Sequence, residues 1–136
     1  MKKYVNLPKY WLKSFPFKVN SSHKYSRGQL IVVGGEKEMI GATILSSEAA
    51  LRTGVGSVKI ICNKKTFPIY SLKFPSALKK EINSFKEFKK FVLQNKKAVY
   101  LIGPGAGPNI YTKKRTEFLL KNIKYVILDA DALTSF

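Results

Sequence analysis

The clearest pattern of apolar and polar positions occupies residues 29–62. It opens with the aliphatic run 30–33, which stops at two glycines and is typical of a buried strand that ends in a turn. Apolar residues at helical spacing then follow between Gly41 and Gly54, and a second β-branched run covers Ser57–Cys62. This succession predicts a βαβ unit with parallel strands and a right-handed crossover.

The same alternation continues through the rest of the chain. Residues 98–102 and 125–128 predict two more buried strands, and short helices are predicted over 63–73 and 112–122. A further helix should begin at a capping box, with Ser84 as the cap and Glu87 reaching back, and run to Gln94. Its inward stripe is Phe85, Phe88, Phe91 and Val92. We therefore expect an α/β fold of three layers, with four mainly parallel strands and helices on both faces.

Glycine-rich turns follow two of the predicted strands, at residues 34–42 and 103–107. Because carboxyl ends of parallel strands meet at one edge of a sheet, the two turns should lie together and form a single cleft. Helix N-termini at such an edge bind anionic ligands. The alternative is that the glycines serve only tight packing and rigid turns. The pattern is neither a Walker A loop nor a G-x-G-x-x-G fingerprint.

Two carboxylates, Asp129 and Asp131, follow the last predicted strand. A carboxylate at the end of a buried strand is costly unless it is paired, hydrogen-bonded or in contact with a ligand. Both residues are therefore candidate ligand-binding residues. The alternative is that one of them caps a helix, a role that aspartate performs well.

The composition of 136 residues fits one domain at most, and the net charge of +17 raises nucleic acid as a partner. However, the basic residues are almost all lysines spread along the chain, and no nucleic-acid-binding module is recognisable. We therefore expect no specific nucleic-acid partner. A basic nucleic-acid-associated protein remains the alternative, supported by charge alone.

Cysteine and histidine each occur once, as Cys62 and His23. A single cysteine cannot form an internal disulfide, and a single histidine without a cysteine cluster predicts no metal site. No apolar run approaches the length of a membrane span, so we expect a cytoplasmic protein without a membrane partner. Residues 1–22 contain prolines, lysines and aromatic residues, and are expected to be irregular with their aromatic rings packed on the domain. Binding to a membrane surface is the alternative for this lead.

Taken in order, these motifs resemble the NAD(P)H-hydrate dehydratases, the YjeF C-terminal-type members of the ribokinase-like superfamily. The resemblance lies on His23-Lys24, Gly28, residues 30–35, Gly41-Ala42 and 49–56, and continues at 103–107 and 128–133. It implies that the lead 1–22 precedes the N-terminal half of a ribokinase-like domain at 23–136, and hence an incomplete fold. The family also places a His-Lys…Gly segment beside its nucleotide cleft. One departure is Ser76, which stands where the family usually has a glutamate.

The resemblance implies an activity, namely dehydration of hydrated NADH or NADPH at the expense of ADP or ATP with magnesium, a carbon–oxygen lyase reaction. The implied binding residues for the dinucleotide are Gly41, Ala42, Gly105 and Gly107, with Asp129 and Asp131 in support. No catalytic residue is assigned, because the Gly-Thr-Gly-Asp loop that supplies the family's catalytic aspartate does not occur in these 136 residues. We therefore expect the chain alone to be inactive, as a truncated or split enzyme that forms a homo-oligomer when complete. The alternative is a non-catalytic nucleotide-binding remnant, or an assembly partner of a separate C-terminal half.

Overall fold

A computed structural model of the chain describes residues 5–15, 17, 21–24 and 26–136. Within these residues one sheet contains five strands, all parallel, in the order β3-β2-β1-β4-β5. The strands are β1 Gln29–Val33, β2 Ser57–Cys62, β3 Leu78–Glu81, β4 Val99–Ile102 and β5 Val126–Leu128. The α-helices are α1 Ile40–Arg52, α2 Phe67–Lys73, α3 Phe85–Gln94, α4 Ile110–Asn122 and α5 Asp131–Thr134. Short 3-10 turns occur at Pro8–Tyr10, Leu12–Ser14 and Lys37–Met39.

Strand β1 lies at the centre of the sheet, where Leu30 is level with Val58 of β2 and with Val99 of β4. Ile31 and Val32 are completely buried, because helices cover both faces of the strand. A parallel sheet covered on both faces requires strands that are apolar at every position rather than at alternate positions. This requirement explains why the apolar runs in the sequence predicted β1, β2 and β4 to within one residue at each end, and β5 was located as closely although none of its residues is buried.

Two separate apolar cores fill the spaces between the sheet and its helices. On one face α1 and α2 pack on the sheet through side chains that include Ile44 and Tyr70. On the other face α3 and α4 pack through Phe88, Val92 and Leu119. The predicted three-layer α/β architecture, with helices on both faces of a parallel sheet, is therefore confirmed.

Strand β3 was not predicted from the sequence. It pairs in parallel with β2, with Leu78 level with Lys59, and forms one edge of the sheet. Its residues are Leu-Lys-Lys-Glu and none of them is buried, so neither an apolar run nor a clean alternation marks it. It forms because β2 offers a free row of backbone hydrogen-bonding groups and because Ile82, directly after it, is buried in the core.

Helix α3 begins at the predicted cap, with one difference. The Ser84 hydroxyl oxygen accepts a hydrogen bond from the Glu87 N–H at 3.1 Å, as expected for a capping box. The Glu87 carboxylate accepts from the Asn83 N–H at 2.8 Å, one residue before the cap. Of the predicted stripe, Phe88, Phe91 and Val92 are buried, whereas Phe85 is partly exposed.

Helix α4 begins at Ile110, two residues earlier than predicted, because Asn109 caps it. The Asn109 side-chain oxygen accepts from the N–H groups of Tyr111 and Thr112 at 2.9 and 3.1 Å. Helix α2 is shorter than predicted, because Asn63 and Thr66 form a hydrogen-bonded turn before it.

Three aromatic rings of the lead lie against one another, and their packing on the domain stays a prediction. Trp11, Phe15 and Phe17 contact one another, with ring centroids 5.8 and 4.8 Å apart, and each remains exposed. Tyr4 and Pro16, which the prediction also covered, lie outside the described residues. No helix in the described part of the chain is long and apolar enough to cross a membrane.

Candidate functional site

The two glycine turns meet at the carboxyl edge of the sheet, where β1 and β4 end side by side. The Glu36 N–H donates to the Gly105 carbonyl at 3.0 Å. A Cβ on Gly35 would lie 2.5 Å from the same carbonyl oxygen, so only glycine permits this approach. Gly105 itself has a φ of +69°, in the left-handed region that favours glycine. The prediction that the two turns share one edge is confirmed, and they touch directly.

A buried hydroxyl network, which the sequence analysis did not identify, fixes this junction. The Thr43 hydroxyl accepts from the Gly35 N–H at 2.8 Å and donates to the Pro104 carbonyl at 3.4 Å. The Tyr70 hydroxyl donates to the Gly35 carbonyl at 3.4 Å. Burial raises the pKa of Tyr70. Tyr70 therefore stays protonated as a donor, and α1, α2 and both turns are joined into one rigid unit.

Gly41 and Ala42 lie in the first turn of α1, beside this junction. A Cβ on Gly41 would meet no protein atom within 4 Å, and the residue is exposed. Tight packing therefore explains why glycine occupies positions 35 and 105, but it does not explain the glycine at position 41. The backbone at the start of α1 is open for close approach by a ligand, and Ala42 next to it is half-buried.

Asp131 is already engaged by the protein. Its carboxylate accepts a hydrogen bond from the Gly107 N–H at 2.8 Å and so holds the second glycine turn to the end of β5. It does not cap α5, since Ala130 occupies the cap position without a side-chain hydrogen bond. Asp129 is exposed, and its backbone carbonyl lies so near Gly103 that a Cβ there would overlap it. The helix-capping alternative is thus not realised by either carboxylate.

The predicted binding residues differ in how far a ligand can reach them. Gly105 is buried and its carbonyl accepts from Glu36, so it supports the junction from inside. Gly107 is half-buried, and its N–H is taken by Asp131. Gly41 and Asp129 are the exposed members of the predicted set.

His23 lies at the other edge of the sheet. It forms a turn with Ser26, whose N–H donates to the His23 Nδ1 at 3.2 Å, directly before β1 begins. Gly28 ends this segment and accepts a hydrogen bond from the Gly56 N–H at 3.1 Å. The segment therefore stands at the amino edge of β1, opposite the glycine turns, and the expectation that it shapes the cleft is not met in this chain.

The family model described as NAD(P)H-hydrate dehydratase matches residues 30–136 of this chain. Among characterised proteins, the ADP-dependent (S)-NAD(P)H-hydrate dehydratase of Staphylococcus aureus is 29% identical over 126 residues, which make up 90% of this chain and 45% of that protein. The bifunctional NAD(P)H-hydrate repair enzyme Nnr of Coxiella burnetii is 31% identical over 126 residues, covering 90% of this chain and 25% of that enzyme.

Solved structures give the same result for the fold. A ribokinase-like superfamily protein from Enterococcus faecalis aligns with a TM-score of 0.75 at 26% identity, over all of this chain and 50% of that one. The ADP/ATP-dependent NAD(P)H-hydrate dehydratase of Bacillus subtilis, crystallised with ATP and Mg²⁺, aligns with a TM-score of 0.68 at 26% identity, over 87% of this chain and 42% of that one. The chain therefore spans half or less of the length of these relatives.

Proposed function

Since this chain belongs to the NAD(P)H-hydrate dehydratase family, we propose that it forms the part of such an enzyme that holds the hydrated nicotinamide dinucleotide. The observation that carries the proposal is the junction of the two glycine turns with an open helix start beside it. Gly35 and Gly105 are locked together by packing, whereas Gly41 leaves backbone accessible where packing does not demand a glycine. Relatives named for this reaction, such as the S. aureus enzyme, support the choice of substrate.

Each residue of the junction has a role in holding the substrate. The first turn of α1, with Gly41 and Ala42, presents N–H groups without intrahelical partners, and such groups suit an anionic pyrophosphate. Gly107 and Asp129 border the opposite side, where β4 and β5 end. Thr43 and Tyr70 keep the two sides at a fixed distance, so that the ligand meets a preorganised surface.

The reaction itself removes the hydroxyl group of the hydrate from the nicotinamide ring and forms a ring double bond. In the family the nucleotide supplies the phosphoryl group that turns this hydroxyl into a leaving group. The Gly-Thr-Gly-Asp loop, which by resemblance to the family supplies the catalytic aspartate, does not occur in these 136 residues. We therefore assign this chain the binding and orientation of the dinucleotide, and assign it no chemical step with the nucleotide.

A second polypeptide segment completes the proposed enzyme by covering β5. This edge strand is wholly apolar, and Ile127 is 51% exposed. Exposed Leu133 and Phe136 extend the apolar surface beyond it. We propose that the remaining half of the fold packs here, as a separate chain or as a continuation, and that the complete protein is a cytoplasmic homo-oligomer.

Activity assays with and without that half test the proposed function. Residues 1–136 are purified alone and also co-expressed with the second half of the E. faecalis ribokinase-like protein, and loss of NAD(P)H-hydrate is followed with ADP or ATP present. The E. faecalis protein, reassembled from its own two halves, is the control for the assay. We expect no turnover by residues 1–136 alone, because positioned electrostatics supply most of phosphoryl-transfer catalysis.

Recovery of turnover with the second half supports the proposal. Turnover of about 1–1000 per second by the chain alone would show that this half carries chemistry in its own residues, with Asp129 and Asp131 the first to be changed to asparagine. Assembly with the second half and binding of the dinucleotide without turnover would favour the non-catalytic alternative.

Gly41 gives a test of substrate binding that is independent of the second half. Gly41→Leu should preserve folding, because the added side chain points into open space, yet it should obstruct a dinucleotide at the start of α1. Gly41→Ala is the matched control, since alanine favours helix formation by about 0.5–1 kcal/mol over glycine and adds only one methyl group. Equal dinucleotide affinity of the two variants would contradict the assignment of Gly41.

A further inference from the structure

Arg115 projects from the second turn of α4 into the space between α4 and α3. Its guanidinium carbon lies 5.5 Å from the centroid of the Phe88 ring. Within the described part of the chain its side chain makes no ion pair and no hydrogen bond. Burial lowers the pKa of Arg115, and the nearby Glu36 carboxylate counteracts this. No guanidinium nitrogen of Arg115 is among the buried polar atoms without a partner, so the group is open to solvent and to an anionic ligand.

Cavities lie on both sides of this guanidinium. One cavity of about 240 Å³ lies between the helices and is lined by Asn83, Ser84, Phe85, Tyr111, Lys114 and Arg115. The other is smaller and lies at the ends of β1 and β2, where Arg115 lines it together with Gly35, Glu36 and Asn63. Arg115 therefore connects the space between α3 and α4 to the junction of the glycine turns.

We propose that Arg115 and Lys114 form a phosphate-binding subsite between α3 and α4, occupied by a phosphate of the dinucleotide. The guanidinium matches phosphate because its planar fork donates two parallel hydrogen bonds. Lys114, which brings a second positive charge, lines the same cavity, as do Tyr111 and Ser84. The inference rests on the proposed function, because the substrate held at the glycine junction supplies the phosphate.

The carboxylates near the subsite affect how strongly it should bind phosphate. Glu36 faces Arg115 across the smaller cavity and interacts with it without forming an ion pair. Glu87, on α3, is engaged with the Asn83 N–H. A bound phosphate would therefore compete with Glu36 for the guanidinium. Removing the charge of Glu36 should strengthen phosphate binding, whereas removing that of Arg115 should weaken it.

Calorimetric titration of the 136-residue chain with NADPH, and separately with inorganic pyrophosphate, tests the subsite. Arg115→Gln should weaken binding of both by about tenfold or more, as expected when a hydrogen bond to a charged group is lost. Lys121→Gln is the matched control, because it removes the same charge from the far end of α4, and it should change affinity less than twofold. Glu36→Gln should tighten binding, and Arg115→Lys should recover part of the loss.

Several results would overturn the subsite. Equal weakening by Arg115→Gln and Lys121→Gln would show that diffuse positive charge alone attracts the anion. Absence of measurable binding up to millimolar concentration, or pyrophosphate binding that NADPH does not displace, would also overturn it. If Arg115→Gln fails to fold by circular dichroism, weaker or unchanged binding by the isosteric Glu36→Gln decides against the proposal. Arg115-dependent NADPH binding combined with no turnover by the completed enzyme would count against the proposed function and leave the subsite standing.

Discussion

The strands at the two edges of the sheet, β3 and β5, differ in charge and in what surrounds them. Three of the four residues in β3 are charged, and Lys79 donates hydrogen bonds to the carbonyls of Phe74 and Ala77 at 2.5 and 2.6 Å. All three residues of β5 are apolar, and its exposed Ile127 has no polar neighbour in the strand. Lysines on an edge strand discourage the addition of further strands, whereas an apolar edge invites it.

The difference indicates where the sheet ends and where it continues. At β3 the side chains of Lys80 and Glu81 are exposed, Lys79 is held by two carbonyls, and these charged residues close the sheet. At β5 the carbonyl of Tyr125 and the N–H of Asp129 pair with β4, so the backbone groups of Val126 and Leu128 point outward. The solved relatives are twice as long as this chain or longer, which leaves ample chain to cover that edge. The glycine junction lies between the two edges, at the ends of β1 and β4, next to the side that we propose is extended.

A charge placed on each edge strand in turn should give the largest difference in assembly with the second half. Ile127→Lys should weaken assembly with the second half by about 100-fold, since burying an unpaired charge costs several kcal/mol. Leu78→Lys on β3 is the matched control, because Leu78 is 56% exposed against 51% for Ile127. It should leave assembly unchanged. To measure binding between the two halves, the second half is immobilised on a surface and each variant is titrated over it.

Neither substitution should alter the free energy of unfolding of the chain alone by more than about 0.5 kcal/mol, since both side chains are largely exposed. If Leu78→Lys disrupted assembly as strongly as Ile127→Lys, the second half would contact both edges, and β3 would no longer mark the end of the sheet.

Lys79 should matter for stability, whereas its neighbour Lys80 should not. Lys79→Met removes the ammonium donor from the carbonyls of two buried residues, leaving Phe74 only a long bond from the Ala77 N–H at 3.5 Å. We expect a loss of about 1–3 kcal/mol in the free energy of unfolding, measured with urea. Lys80→Met removes the same charge from an exposed position and should stay within about 0.5 kcal/mol of the original chain. Equal losses would mean that β3 is stabilised by its total charge and not by these hydrogen bonds.

The sequence predicted the central strands well because their burial requires an uninterrupted run of apolar residues. A strand covered on both faces must be apolar along its whole length, and β1 and β2 show this directly. Strand β3 has no such apolar run, since its place is set by pairing with β2 and by the burial of Ile82. The glycine turns were also predictable, because their glycines stand directly after the apolar runs in the sequence.

The contacts that complete the site could not be predicted, because they join distant segments. Asp131 meets Gly107 across 24 positions, and Thr43 meets Pro104 across 61. Arg115, by contrast, does carry a signal in the sequence. It stands three residues before Phe118, on the inward stripe of α4, where a charged residue is unusual. A charged residue at such a position is a candidate binding residue on the sequence alone.

The smallest expected effect concerns Cys62, which lies beneath the β3 edge. Its thiol donates weakly to the Lys80 carbonyl at 3.8 Å. Burial, with help from Glu81 and against Lys79, raises the pKa of Cys62 from its ordinary value of 9.0 to about 11. The unfolded chain therefore loses the thiol proton at a lower pH than the folded chain does. Stability contributed by the protonated thiol is fully present below pH 9 and is lost as the pH rises toward about 11.

Urea unfolding at pH 8 and at pH 10 measures this loss, with Cys62→Ala as the control. The original chain should lose more stability between these pH values than the variant does, by no more than about 1.4 kcal/mol per pH unit, the limit set by one proton. Taking the difference between the two proteins removes the contribution of Tyr70 and Tyr100, whose pKa values burial also raises. Equal pH dependence of the two proteins would mean that water reaches the thiol in the folded state. The β3 edge would then be open, and the contrast with β5 would rest on charge alone.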